Sequence, residues 1–479
     1  MPAHWGRIIR STSLPPISEK SVASDRSFAG VLADRLCQVR FSDFPASTVH
    51  KAKLHLLDTI GAGLAGSASL ETQRVWRGLG LAADAGRSAV WGMPHDVSTR
   101  TAGFINGISA HALELDDSGG CDHSGAVVVP AALAILPELT GDVSGPRLLT
   151  AIMMGYEAGR RVLEAVGGYE THNGLGWHST GTCGVFGAAA ATGLLLGLDA
   201  MRLEQALGIS CSFAGGTWAF IHDGSQTKKL HPGRAAEGGV TAALLAANEF
   251  TGPTEIFEPE AWGSFFKTFS PSQSAPHLLI EAFGEKWRLD RCSIKPYATC
   301  RGTHSAIDAV RQLRSAHRLE VGEIAAIEVE MSGFQFGMCG GKAIASRAQA
   351  QMSLPYAVAA ELQFGKVGPA ELEPGRWLSP AILAWLDRIA VRVDPGMADA
   401  DEPAITLVTK DGQRHRTIVE FPSGSPANPL PDEQLIAKFR DLAGLVLSAP
   451  RIAKIEDMVL NLDRIGDARD LPCLLKCPR

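Results

Sequence analysis

Two histidines of this chain stand in glycine-rich loops ahead of long apolar stretches. They are His123 in Gly119-Gly-Cys-Asp-His-Ser-Gly125 and His178 in Gly174-Leu-Gly-Trp-His-Ser-Thr-Gly181. A side chain in such a place lies at the positive end of the helix that follows, where free amides also attract carboxylates. That field tends to lower an imidazole pKa and keep the ring neutral, ready to accept a proton. For either histidine alone, a core ring satisfied by a carbonyl is the alternative; the repetition favours chemistry. Three carboxylates, Glu114, Asp116 and Asp117, gather with Ser118 at the end of a predicted helix. A helix C-terminus repels negative charge, so they need cations, hydrogen-bond donors or another helix's positive end. A solvated loop or cap is the competing reading.

The cations come from two further loops. Lys228, Lys229 and His231 precede Pro232 and Gly233, which open an apolar helix with Arg234 in its first turn, and Lys295, Tyr297, Cys300, Arg301 and His304 lie within ten positions. A loop that opens a helix can aim amides and ammonium groups at one anion. Cys300 is read as a pocket thiol, because no activating partner for it is legible. His111, His123 and the three carboxylates could ligate a metal, yet no HExxH, paired CxxC, calcium loop or iron–sulfur triplet is present. The expectation is chemistry with neither metal nor cofactor. Histidines with several cations suit a small polycarboxylate: removing a proton next to a carboxylate gives a doubly charged intermediate that lysines stabilise. A histidine acting as base or acid contributes roughly 10²–10⁴-fold.

These loops need a scaffold. At 479 residues the chain exceeds one compact core, so two or three domains are expected. A net charge of −6 gives no reason to propose nucleic acid or an anionic membrane as partner. Nine scattered cysteines without a secretory pattern point to reduced thiols and a cytoplasmic setting. Residues 1–27 read as a disordered or extended arm, with organellar import through it a minor alternative. From 28 to 287 the pattern is helical, without strand-like alternation of any length. Arg147–Val166 is amphipathic, with Arg160 and Arg161 on its wet side. Gly181–Leu198 could span a bilayer by length, but its small residues suit a buried core helix with Ser179 or Thr180 as N-cap. Residues 288–422 alternate at Ala326–Met331, Ile389–Val393 and Ala404–Thr409, the last entering a hairpin that turns at Asp411-Gly412. After a Pro/Ser/Gly/Asn linker, residues 423–479 carry helices that return to the first body. The fold class is therefore mainly α with a smaller α+β domain: a large, discontinuous helical domain containing both termini, and an α/β lid.

Asn106-Gly-Ile-Ser-Ala-His-Ala-Leu-Glu-Leu-Asp-Asp117, Trp177-His-Ser-Thr-Gly-Thr182, Lys228-Lys-Leu-His-Pro-Gly233 and Lys295-Pro-Tyr297 together resemble the MmgE/PrpD family. That family includes 2-methylcitrate dehydratase, cis-aconitate decarboxylase and iminodisuccinate epimerase. The resemblance implies a homodimer and catalysis without metal or organic cofactor. It places the family's catalytic histidines on His123 and His178 and its catalytic lysines on Lys228 and Lys295. Glu114 and Ser118 fall on its acidic and hydroxyl positions, and Asp116, Asp117, Lys229, His231, Tyr297 and Cys300 complete the expected substrate contacts. Ser118 replaces a common threonine, Ser124 a common proline, and Cys300 the histidine of animal decarboxylases; fungal decarboxylases resemble this chain in having cysteine there. Dehydration of 2-methylcitrate or a related hydroxy acid is the leading expectation. Decarboxylation of cis-aconitate and epimerisation of an amino-dicarboxylate are the alternatives, with a non-catalytic binding protein the remote one.

Overall fold

The computed structural model describes residues 26–477, so the expected N-terminal arm lies almost wholly outside the described residues. The helical body is built on α1 (Ala46–Ser67), α2 (Thr99–His111), α3 (Gly125–Ile135), α4 (Gly145–Ala165), α5 (Gly184–Leu196) and α6 (Leu230–Ala247). The helix α5 lies at its centre, packed against α3, α4 and α6. Small residues allow this: a Cβ on Gly187 would come within 2.5 Å of the Gly155 carbonyl oxygen, and one on Gly239 within 2.4 Å of Ala188 Cβ. The apolar stretch Ser179–Leu196 is 89% buried inside the protein. Ser179 and Thr180 do not cap it; they lie in a short first turn, Ser179–Thr182, whose N-cap is His178.

Two further expectations for this body are corrected. A two-residue antiparallel ladder joins β1 (Ser88–Ala89) to β2 (Asp96–Val97). Arg160 and Arg161 are buried rather than wet. Arg161 pairs with Glu157 one turn back and donates to the carbonyls of Leu278, Leu279 and Glu281. A guanidinium has enough donors to be satisfied by carbonyls of a covering loop, and helical periodicity cannot register that loop.

The smaller body carries a four-stranded sheet of β3 (Ile324–Met331), β4 (Ile389–Val393), β5 (Ala404–Thr409) and β6 (Arg414–Ile418), in the order β4-β3-β5-β6. The β3–β4 pair is parallel and the other two are antiparallel, β5 and β6 joined through Gly412 at φ +86°. The apolar face of β3 and β5 packs with α7 (His304–His317) and α8 (Leu354–Phe364) in a second core that includes Ile307, Val310, Ile327, Tyr356 and Leu407. Thr303 precedes α7 without capping it; its hydroxyl donates to the Cys300 carbonyl. Beyond the linker, α9 (Asp432–Ala443) packs on α1. Its Lys438 ammonium donates to Asp58 Oδ1 at 2.6 Å and to the carbonyls of Leu115 and Lys295 at 2.7 Å. One C-terminal lysine thus ties together the loop after α2 and the entrance to the α/β body.

Candidate active site

Helix α2 stops at His111, and the chain turns back through Glu114, whose φ of +55° is rare for a residue with a side chain. The turn aims the Glu114 carboxylate, fully buried, at three ammonium groups. Lys228 Nζ and Lys229 Nζ each lie 2.6 Å from its Oε1, and Lys295 Nζ lies 3.1 Å from its Oε2. Burial alone would raise the carboxyl pKa, but the three cations outweigh it and hold it well below the usual range. The lysines are not equivalent. Burial, with Lys228 beside it, lowers Lys229 to about 8 despite Glu114. Burial also acts against the charge of Lys295, but Glu114 and Asp116 overcome it and push that pKa up. Three ammonium groups converge on this one carboxylate, with Asp116 the next acid facing Lys295, so positive charge is concentrated on the lysine side of the site, where an anion would bind.

The histidines differ in the same way. His123 Nδ1 faces two acceptors, the Asp117 carbonyl at 2.8 Å and Asp116 Oδ2 at 3.0 Å, so that nitrogen carries a proton. Its Nε2 lies 3.4 Å from Asp122 Oδ2. Burial would lower this imidazole, yet Asp122 and Asp116 outweigh it and raise the pKa. His178 has no such pair. Its Nδ1 meets His231 Nδ1 at 2.8 Å, a contact in which one ring donates and the other accepts, and Trp218 and Phe220 stand edge-on to it. Burial first, then His231, Lys228 and His123, lower His178 well below the ordinary value. The neutrality expected from a helix end is present, but burial and neighbouring cations are its main cause.

A cleft of about 530 Å³ lies between the two bodies, and its walls include Glu114, Ser118, His123, Lys228 and Cys300 of the expected residues. Ser118 is fixed there by reciprocal backbone bonds to Ser293, 3.0 and 2.8 Å long. Burial raises the Cys300 pKa, which keeps it a thiol. His178 and Lys295, fully buried, stand behind this wall, His178 Nε2 lying 3.8 Å from Asp122 Oδ2. Lys229 faces a smaller cavity of about 230 Å³ that shares Glu114 and Lys228 with the cleft.

Four of the expected substrate contacts are placed otherwise. Asp117 accepts from Gly125 N at 2.9 Å, Tyr156 Oη at 2.6 Å and His55 Nδ1 at 3.2 Å, so it anchors the start of α3 to α4 and α1. The Tyr297 hydroxyl is engaged by Asp308 and Arg311 inside the α/β body. Asp116 and His231 reach the cleft only through the imidazoles they hold. Adjacent carboxylates in a turn point in different directions, and only the turn decides which faces the cavity. The reading of the sequence also missed Lys438 and Asp122. A carboxylate beside a loop histidine was visible at Asp122, but neighbouring side chains ordinarily diverge. Its φ of +123° swings it round to the imidazole nitrogens.

Among the described residues, two sets of ligand-type atoms lie within 4.8 Å of one another: His111, Asp116, His123 and Asp122, His123, His178. In the first set, the Nδ1 atoms of both histidines donate to Asp116, so those nitrogens present protons and only Nε2 could offer a lone pair. In the second, an ion would have to displace the proton that Asp122 and Asp116 hold on His123. This donor chemistry reads as proton handling.

The sequence matches the MmgE/PrpD N-terminal domain over residues 30–277 and the MmgE/PrpD C-terminal domain over residues 297–464. The chain belongs to the MmgE/PrpD family. Among curated MmgE/PrpD relatives, a cis-aconitate decarboxylase-like protein of Aspergillus oryzae is 29% identical over 94% of this chain and 98% of its own length. A cis-aconitate decarboxylase of Aspergillus terreus is 28% identical over 96% and 98%, and that of Homo sapiens 27% identical over 90% of both chains. These relatives point away from the dehydratase expectation and towards the decarboxylase alternative.

Proposed function

We propose that this MmgE/PrpD protein is a lyase that decarboxylates cis-aconitate or a close tricarboxylate without a cofactor. The observation that carries the reading is the unequal setting of its two imidazoles. Carboxylate oxygens of Asp116 and Asp122 lie 3.0 and 3.4 Å from the nitrogens of His123, which favours its charged form, whereas His178 meets a second imidazole at 2.8 Å and is held towards the neutral form. Dehydration or epimerisation begins with a base taking a proton from carbon. A buried imidazole with a depressed pKa, beside the Lys228 ammonium and the charged His123, is a weak base for that task. Decarboxylation begins with no base and ends with an acid.

In cis-aconitate the carbon–carbon bond to the methylene carboxylate breaks and CO₂ leaves. The electron pair of that bond forms a new C=C bond, and the pair of the former C=C bond takes a proton at the vinylic carbon. His123 Nε2, on the cleft wall, donates that proton and is left neutral. The retained carboxylates bind against Lys228, with Lys229 and Lys295 supplying field through Glu114. Charge that spreads towards those carboxylates as CO₂ departs is stabilised most where water is excluded.

The test is ¹³C NMR of the purified protein with cis-aconitate, 2-methylcitrate and iminodisuccinate, in buffer treated with a chelator. Consumption of cis-aconitate with release of CO₂, and a His123→Ala loss of roughly 10²–10⁴-fold in kcat, is the expected result. Turnover of 2-methylcitrate in its place, or full activity of His123→Ala, would overturn the reading.

A further inference from the structure

We infer that Asp122 is a positioning residue that keeps a proton on His123 Nε2 and returns one there after each turnover. The inference rests on the decarboxylase reading for its reaction and on the geometry for its residue. Asp122 adopts φ +123°, a backbone conformation natural to glycine, in a loop that already uses glycine at 119 and 120. Non-glycine residues persist in such conformations where function holds them. The side chain that this strain places has one evident use. Its Oδ2 lies 3.4 Å from His123 Nε2 and 3.8 Å from His178 Nε2, and among the described residues these are its ion-pair contacts.

Proton balance gives such a group a task. Each decarboxylation moves one proton from His123 to carbon, so His123 must take one from solvent, drawn in beside the Asp122 carboxylate, before the next cycle. The proton on Nδ1 is committed to the Asp117 carbonyl and Asp116. His178 is fully buried and shares its other nitrogen with His231. Recharging therefore occurs at Nε2, and Asp122, which lines the cleft, is the acidic group beside it. The other groups facing His123 are the Lys295 ammonium, which opposes its charge, and the His111 and His178 rings at 4.2 and 6.2 Å between centroids. Asp116 holds the Nδ1 side, and among the described residues Asp122 is the carboxylate that pairs with Nε2.

Asp122→Asn, Asp122→Gly and Asp122→Glu test this, because asparagine tolerates positive φ and glycine relieves it. In Asp122→Asn the alkaline limb of kcat should move down by about one unit, as expected on losing a neighbouring opposite charge. Its kcat should fall at least about tenfold, within the range general acid catalysis supplies. Added formate should restore part of the activity of Asp122→Gly, and Asp122→Glu should return the limb towards its original position. A purely structural role predicts that Asp122→Gly, freed of strain, keeps full kcat and an unmoved limb; that result would overturn the inference. An NMR titration of the His123 ring in the free protein gives a readout without turnover. A lower His123 pKa in Asp122→Asn supports the role even if cis-aconitate is not the substrate, and an unchanged value refutes it.

Discussion

Replacing Glu114 with glutamine removes the one carboxylate shared by three buried ammonium groups while nearly keeping its shape. At the observed separations of 2.6, 2.6 and 3.1 Å, an effective dielectric constant near 20 gives about 5–6 kcal/mol of attraction per pair. Desolvation and repulsion among the lysines cancel most of that sum, and breaking a buried pair costs about 3–5 kcal/mol in practice. Lys229 provides an escape. Its pKa is already lowered to about 8, so at pH 7 its proton can be shed for about 1.4 kcal/mol. Without Glu114 that pKa falls further below the unfolded value. The unfolded chain then binds more protons than the folded one over a wider window, and stability rises with pH across it. Glu114→Gln should therefore melt several degrees below the wild type at pH 6.5, and the gap should narrow by pH 9. Tricarballylate, an unreactive tricarboxylate, should recover more of the loss in the variant than it adds to the wild type, since it supplies the missing counter-charge. Scanning fluorimetry at four pH values, with and without that ligand, measures both effects. A gap that is constant with pH and indifferent to tricarballylate would show that the lysines do not depend on Glu114 for their charge.

Two other consequences are direct. In the free enzyme Lys229 loses its charge as pH rises through about 8, so kcat/KM should fall about tenfold between pH 7.5 and 9; Lys229→Met should keep only the limb that His123 sets, and an unchanged fall over that range would assign all of it to His123. Asp117→Asn should cost about 2–4 kcal/mol of stability by loosening Gly125, Tyr156 and His55, yet leave kcat and KM per folded molecule nearly unchanged; a raised KM with normal stability would return Asp117 to the pocket.

Much of this site could be read from the chain because its parts announce themselves locally. Glycine loops before apolar helices marked His123 and His178, and a lysine pair before Pro232-Gly233 marked Lys228 and Lys229. The strands of the α/β body showed period-two alternation, and Asp411-Gly412 gave the hairpin. What stayed hidden depends on backbone angles and on distant partners. Asp116 and Asp117 are consecutive carboxylates with opposite fates, one against two imidazoles and the other at the start of α3, because the turn through Glu114 points them apart. Tyr297 follows Lys295 by two residues yet belongs to the α/β core, where Asp308 and Arg311 satisfy it. Lys438 lies 143 positions beyond the Lys295 carbonyl it holds, too far for any local pattern.

The same limit explains why dehydration came first in the reading of the sequence. Written in one line, His123 and His178 are two loop histidines of equal standing, which suits a reaction needing a base and an acid. The fold makes them unequal. Two carboxylates converge on His123, whereas His178 receives aromatic edges, a neutral imidazole and cations. A pair with one charged ring and one reluctant base resembles half of a dehydratase and the whole of what a decarboxylase asks of its imidazoles. If the charge on His123 drives the proton transfer, removing it should cost turnover and not binding. His123→Asn combined with Asp122→Asn should leave tricarballylate binding at the lysines intact while CO₂ release falls at least as far as in His123→Ala. Equal loss of binding would mean that the imidazoles serve as anion clamps instead.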